Sequence, residues 1–450
     1  MSGLDDYNYY EEYKAWLQSI LESPMPWIGM YIAAASLVCS VAMAGDVIHG
    51  IRRKKLWFPC KYFSMNAASL TVIAVAMKLS VDLTTAMLGT IDTLAKLSNS
   101  GFMIIVMGNF LISFASMNNK EIFMNIVALG ILVITISVNM GIQLYTWRGD
   151  LVLFERQREY LVDMYILRIF NIVSMLVLFV TMISSILTIP ATKRDMEKKY
   201  NELHETAYEG GKLQETENLT DEKLKEVVDK YWMMAETGSP QFVMARSVTS
   251  ATLGAICLAT TIYFVTLAIA VVLGDGGLKG YDSTYCWSTV WIFMIQSIGV
   301  VVGTIAPICR WFTAINFNCN NMFSNHHKEF KLVETFWIQT LVAWKETPLP
   351  SQIRGMKCKR VIGNVKILVL NLCIGIQIWI VVASKLVHLI SIIITLPLFS
   401  CFYYGKRMKV DLGSESSALE ANNSSPELDR YVLQLEGEVK LPKSILKNVS

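Results

Sequence analysis

The chain has 450 residues, 53% of them hydrophobic and 17% charged, with a formal net charge of +3 and a mean hydropathy of +0.41. Soluble domains carry about 25% charged and 45–50% apolar residues, so this composition excludes a soluble enzyme, a coiled coil and a disordered chain. Nine cysteines, sparse and odd in number, exclude a secreted disulfide scaffold.

A bilayer core of about 30 Å takes about 20 apolar residues in a helix. Residues 1–24 are an acidic leader (Asp5, Asp6, Glu11, Glu12, Glu22) with no basic stretch. The first apolar run, 26–44, therefore reads as an anchor and not as a cleaved signal. Further runs predict spans at 63–77, 102–115, 123–145, 169–189, 251–273 and 287–308. The run 362–401 has 40 residues, about twice one span, and predicts two helices turning near Ser384 and Lys385. The expected fold is an all-α polytopic membrane bundle of nine spans; an eight-span reading fuses the last two.

Lys and Arg near span ends set orientation. Basic clusters follow the first span (Arg52, Arg53, Lys54, Lys55, Lys61), the fifth (Lys193, Arg194, Lys198, Lys199) and the last (Lys406, Arg407, Lys409). The segment 310–366 adds nine Lys/Arg against three Glu. Nine spans put all four clusters on one side, the cytoplasmic one, with the N-terminus outside and the C-terminus inside. The connector 146–168, with Arg148, Arg156, Arg158 and Arg168, is external on this reading and disagrees with the rule.

The chain divides into an acidic N-terminal segment (1–24), a five-span region (25–190), a cytoplasmic helical loop (191–248), a two-span hairpin (249–308), a basic amphipathic segment (309–361), a second hairpin (362–404) and a cytoplasmic tail (405–450). In the helical loop the fifth helix continues past Pro190, with Gly210 and Gly211 as a stop. A second helix starts at Thr220, whose hydroxyl can cap it, and runs to Gly238. In 309–361, Phe330, Val333, Trp337, Leu341 and Trp344 recur at helical spacing beside Arg354, Lys357, Lys359 and Arg360, a pattern for packing on the bundle or for an interface of anionic lipid. The tail offers a helix start at Ser425, Pro426 and Glu427, an apolar stripe of Leu428, Val432, Leu435 and Val439, and serines open to phosphorylation.

No catalytic motif is found. Five histidines are too few for the boxes of a membrane di-iron enzyme. Cys309, Cys319, His326 and His327 do not have a zinc spacing. There is no Walker A sequence and no dinucleotide fingerprint, and the Gly274-Asp-Gly-Gly277 loop reads as a turn. The expectation is no enzyme, no cofactor, no metal and no nucleic-acid partner, with the lipid bilayer as partner and a homo-oligomer open. The sequons at Asn218, Asn422, Asn423 and Asn448 fall in cytoplasmic segments and are expected to carry no glycan.

Ionisable and amide side chains in or near spans point to function. Lys78 and Asp82 lie one helical turn apart at the outer end of the second span and can pair. Lys385 sits at the hairpin tip, and Asp46 and His49 follow the first span. Asn109, Asn139 and Gln296 are candidate lining of a path; interhelical hydrogen bonding is the competing reading. Gly299 and Gly303, four apart, allow close helix approach, and Pro307 ends or kinks that helix.

Four runs resemble a group of plant multi-pass membrane proteins that have no assigned activity: Pro24-Met-Pro-Trp27-Ile-Gly-Met30, Trp57-Phe-Pro-Cys60-Lys61, Gly303-Thr-Ile-Ala-Pro307-Ile-Cys309-Arg310-Trp311 and Asp429-Arg-Tyr431-Val-Leu-Gln-Leu435. The resemblance implies a plant source and the same span layout, and carries over no catalytic residue. Two function classes follow from the residues. One is a small-solute or ion transporter or channel. The other is a non-catalytic scaffold or regulator acting through the cytoplasmic loops and tail, in plasma membrane or endomembrane.

Overall fold

The computed structural model describes residues 24–55, 57–82, 90–151, 158–212, 221–273, 286–322 and 428–433, with scattered positions elsewhere. All regular structure among them is helical. In chain order the helices are α1 (Met25–Arg52), α2 (Ala67–Ala76), α3 (Lys78–Val81), α4 (Thr90–Phe114), α5 (Asn119–Leu151), α6 (Arg158–Lys212), α7 (Asp221–Thr237), α8 (Pro240–Ala245), α9 (Val248–Leu273) and α10 (Cys286–Met322), and a 3₁₀ turn covers Leu428–Tyr431.

Among the described residues six helices, α1, α4, α5, α6, α9 and α10, are long and apolar enough to cross a membrane. Their outward faces are as apolar as their inward ones. Val38 and Val41 on α1, Ile131 and Ile134 on α5, and Ile298 and Val301 on α10 are all exposed. Such a surface is unfavourable in water and suits lipid. Exposed aromatics mark both ends. Trp27, Trp287, Trp291 and Tyr145 stand at one, Tyr62, Phe123 and Phe312 at the other, as interfacial side chains do.

The centre is α4, buried along its whole apolar window. It packs on α10, α6 and α9, and α10 packs most extensively on α1. The glycines of α10 explain that contact. A Cβ at Gly299 would lie 2.3 Å from Ser40 Oγ and 2.5 Å from Phe102 Cε2; one at Gly303 would lie 2.7 Å from Ile105 Cγ2 and 2.8 Å from Met43 Sδ. Both therefore sit where α1, α4 and α10 meet.

Two predicted spans are redrawn. The third extends over Thr90–Phe114, twelve residues earlier than its apolar run suggested, because Asp92, Ser98, Asn99 and Ser100 are buried inside the bundle. The second is not one helix. α2 has ten residues, about 15 Å, half the hydrocarbon core. Asn66 and Ser69 cap its start reciprocally, α2 ends at Met77, and α3 adds one turn before Asp82 turns extended.

α5 and α6 take up most of the 146–168 connector. α6 runs through Pro190 and Gly210 to Lys212, and α7 covers Asp221–Thr237. The predicted turn at Ser384 and Lys385, the Trp-rich 330–345 helix and the tail serines lie outside the described residues; the described positions between 363 and 393 are all helical.

Among the described residues, the basic clusters after α1 and on α6 lie at one end, with Arg310. Arg310 bonds the loop that follows Arg52 and Arg53, and Lys193 bonds Met117 at the end of α4. This end, called inner below, also carries α7 and α8. The other end, called outer, holds the starts of α1, α4 and α10.

Candidate functional site

At the outer end a cleft lies between α1, α3 and α10, lined by Met25, Gly29, Lys78, Asp82, Ser288 and Thr289, among others. It encloses about 20 Å³, room for about one water. The Lys78 ammonium stands 5.8 Å from the Tyr31 ring centroid, and Asp82 caps α3 with its backbone N–H bonded to the Lys78 carbonyl, 2.9 Å.

Charged side chains continue inward from this cleft. Thr289 donates to Asp92 Oδ1 at 2.8 Å. Asp92 is 1% exposed on α4, and Lys96 follows one turn later on the same helix. Lys96 lies within electrostatic reach of Arg168 on α6, Asp82 and Asp92. Arg168 is itself buried. Charge this deep in a bundle of apolar helices is costly unless mutually compensated.

Below the charges comes an amide and hydroxyl cluster. Gln296 on α10 is fully buried. Its Oε1 accepts from Ser98 at 2.9 Å, and its Nε2 donates to Ser36 Oγ at 3.0 Å and to the Ala76 carbonyl at 3.5 Å. Asn99 donates to the same carbonyl at 2.6 Å. The break in the helix explains the convergence. In an unbroken helix Ser80 N–H would bond Ala76; here it bonds Met77, and the freed carbonyl must be satisfied from outside.

Two further amides do the same work. Pro307 has no N–H to give the carbonyl four residues back, Gly303. Asn109 Nδ2 donates to it at 2.8 Å. Asn139 on α5 donates to the carbonyl of Val81, at the end of α3. So the sequence-derived candidates divide. Lys78 and Asp82 share the outer cleft. Asn109, Asn139 and Gln296 each cap a backbone carbonyl. Lys385 lies outside the described residues.

Sequence reasoning missed Asp92, Lys96 and Arg168. Their signal was present, since Asp92 and Lys96 are four apart and precede an apolar run, but the run was started after them.

At the inner end a buried carboxylate and a buried guanidinium hold the loop after α1. Asp46, 4% exposed, accepts the backbone N–H groups of Lys61 (2.9 Å), Tyr62 (2.7 Å) and Phe63 (3.1 Å). Arg310, 2% exposed, donates to the carbonyls of Trp57 (3.2 Å) and Phe58 (2.8 Å). Phe58 is in the left-handed region, φ 46°, which costs a non-glycine residue about 1 kcal/mol or more. The Cys60 thiol lies 3.6 Å from Asp46 Oδ2. Burial first, and then the nearby carboxylate, push it well above its ordinary value.

An all-helical bundle with these lengths, apolar outer faces and aromatic ends has the build of an integral membrane protein. Comparison with known protein families, with curated proteins and with solved structures finds no match to this chain.

Proposed function

We propose that this is a membrane transporter or channel for a small ion or solute, with the outer cleft as its mouth. One observation carries the reading: α4 runs buried through the centre of the bundle with Asp92 and Lys96 on it, directly inward of Lys78 and Asp82. Ionisable residues inside a membrane bundle are costly and rare, and they mark ion and proton paths. Under this proposal the basic inner end faces the cytoplasm, the N-terminus is outside, and the 362–401 segment completes nine spans. The resemblance to plant multi-pass membrane proteins belongs to the same proposal.

Flux into proteoliposomes tests it. Wild-type chain is expected to carry protons or a monovalent ion, and Asp92→Asn and Lys96→Met are expected to lower that flux at least tenfold while the protein stays monodisperse. Flux that is absent for protons, alkali cations and small anions overturns it.

The inner platform built by α6, α7, α8 and the tail favours a second reading, a non-catalytic scaffold or regulator. Full retention of flux-independent partner binding through 193–248 would support it.

A further inference from the structure

Residues 428–433 do not hang free in the structure. Leu433 is fully buried among Met196 of α6, Met234 of α7 and Val243 of α8. Its backbone N–H donates to Thr237 Oγ1 at 3.0 Å, and its Cδ1 occupies the space a Cβ at Gly238 would need, 2.9 Å away. Two residues earlier the Tyr431 ring receives the Lys230 ammonium at 5.3 Å. The groove is thus a built receptor for a short segment: one apolar pocket, one hydroxyl acceptor and one cation for an aromatic ring.

Besides packing on the bundle through α8, the receptor grips one loop of it. Glu236, beside Thr237, pairs with Lys55 at 2.5 Å. Phe242 of α8 meets the Trp57 ring edge-on at 5.7 Å. Gln241 donates to the Cys60 carbonyl at 3.5 Å. All three contacts are to the loop 53–63, the loop that Asp46 ties to α1 and Arg310 ties to α10. The same two helices, at their other ends, wall the outer cleft.

We infer that the tail segment 428–433 is an intramolecular latch. Docked, it clamps α7 and α8 onto the 53–63 loop and so fixes the inner ends of α1 and α10; released, it frees the platform and opens the groove to another segment of the same chemistry, leucine two residues after an aromatic. Among the described residues the interface is Leu433, the half-buried Tyr431 and Val432, and one backbone hydrogen bond. Tethering at about millimolar effective concentration suffices to hold so small an interface, and a competitor can displace it. The inference does not depend on what, if anything, the bundle transports.

Amide hydrogen exchange of the full-length chain in nanodiscs tests the latch. Leu433→Asp is expected to speed exchange in 231–245 and in 53–63 at least tenfold, Leu433→Ala less, with α4 unchanged in both. A peptide of residues 425–436 added at millimolar concentration to the Leu433→Asp chain is expected to restore protection, and the same peptide carrying Asp at 433 is not. Unchanged exchange at 53–63 in Leu433→Asp overturns the latch, as does a loss that spreads to α4 in both variants. Protection of the wild-type chain that disappears on dilution assigns the tail to a second copy and overturns it also.

Discussion

Asn109 donates its amide to the carbonyl of Gly303, 194 residues away in sequence, at 2.8 Å. That carbonyl is the one Pro307 leaves without a helical donor. The pair predicts a specific non-additivity. Asn109→Ala alone is expected to destabilise the bundle by about 1–2 kcal/mol, the cost of an unsatisfied carbonyl moderated by what membrane bundles are known to tolerate. In a Pro307→Ala background the restored N–H supplies the donor, and the same change is expected to cost about 1 kcal/mol less. Unfolding in graded detergent, read as a double-mutant cycle, measures the difference.

Gln296 distinguishes a structural amide from a conducting one. It joins Ser98, Ser36 and the freed Ala76 carbonyl, so Gln296→Leu strands the polar groups around the α2 break. The expected result is a loss of about 1–3 kcal/mol in stability. If Gln296 instead only faced a path, flux would fall with the unfolding midpoint unmoved.

The glycines on α10 give a prediction with an internal control. Gly299→Ala and Gly303→Ala place a methyl against Ser40, Phe102, Ile105 and Met43, and overpacking of this kind costs about 1–3 kcal/mol. At Gly141 of α5 a Cβ meets nothing within 4 Å, so Gly141→Ala is expected to be neutral or stabilising by up to about 1 kcal/mol. Thermal unfolding of the three variants side by side reads the order.

Five of the predicted spans read directly from composition, because an apolar run of near 20 residues has few other uses. The second and third spans did not. The apolar run of α2 is broken by a hydrogen-bond choice, Ser80 bonding Met77 and leaving Ala76 to Asn99, which no local pattern encodes. The first turns of α4 carry Asp92, Thr93 and Ser98, residues that look like a loop and are in fact buried in the bundle, with Lys96 partly buried among them. Membrane proteins invert the usual rule here, since a polar face turns inward and lipid takes the apolar one. The amides were legible as candidates, but their role was set by carbonyls freed at Met77 and Pro307, and only the proline was visible beforehand. Likewise Asp46 and Arg310, 264 residues apart by their numbers in the chain, reveal a shared task only once both are seen to hold the 57–63 loop.

That loop gives a prediction about pH and chemistry together. Burial, and after it the Asp46 carboxylate, raise the Cys60 thiol well above its ordinary value of 9.0. The folded chain therefore keeps its proton where an unfolded one has begun to lose it. With more protons bound in the folded state, stability falls as pH rises past about 9, and below that pH the group contributes no slope. The thiolate is the reacting species, so maleimide labelling of Cys60 in the native chain is expected to stay slow up to pH 9. Asp46→Ala removes the acceptor of three backbone N–H groups and is expected to loosen 60–63, raising the labelling rate at pH 8 at least tenfold; loss of the neighbouring negative charge, which raises the thiol, acts in the same direction. The site of modification is read by peptide mass spectrometry. Labelling of Cys60 in the Asp46→Ala chain at the native rate would mean that the loop is held without Asp46, by Arg310 and the contacts from α7 and α8.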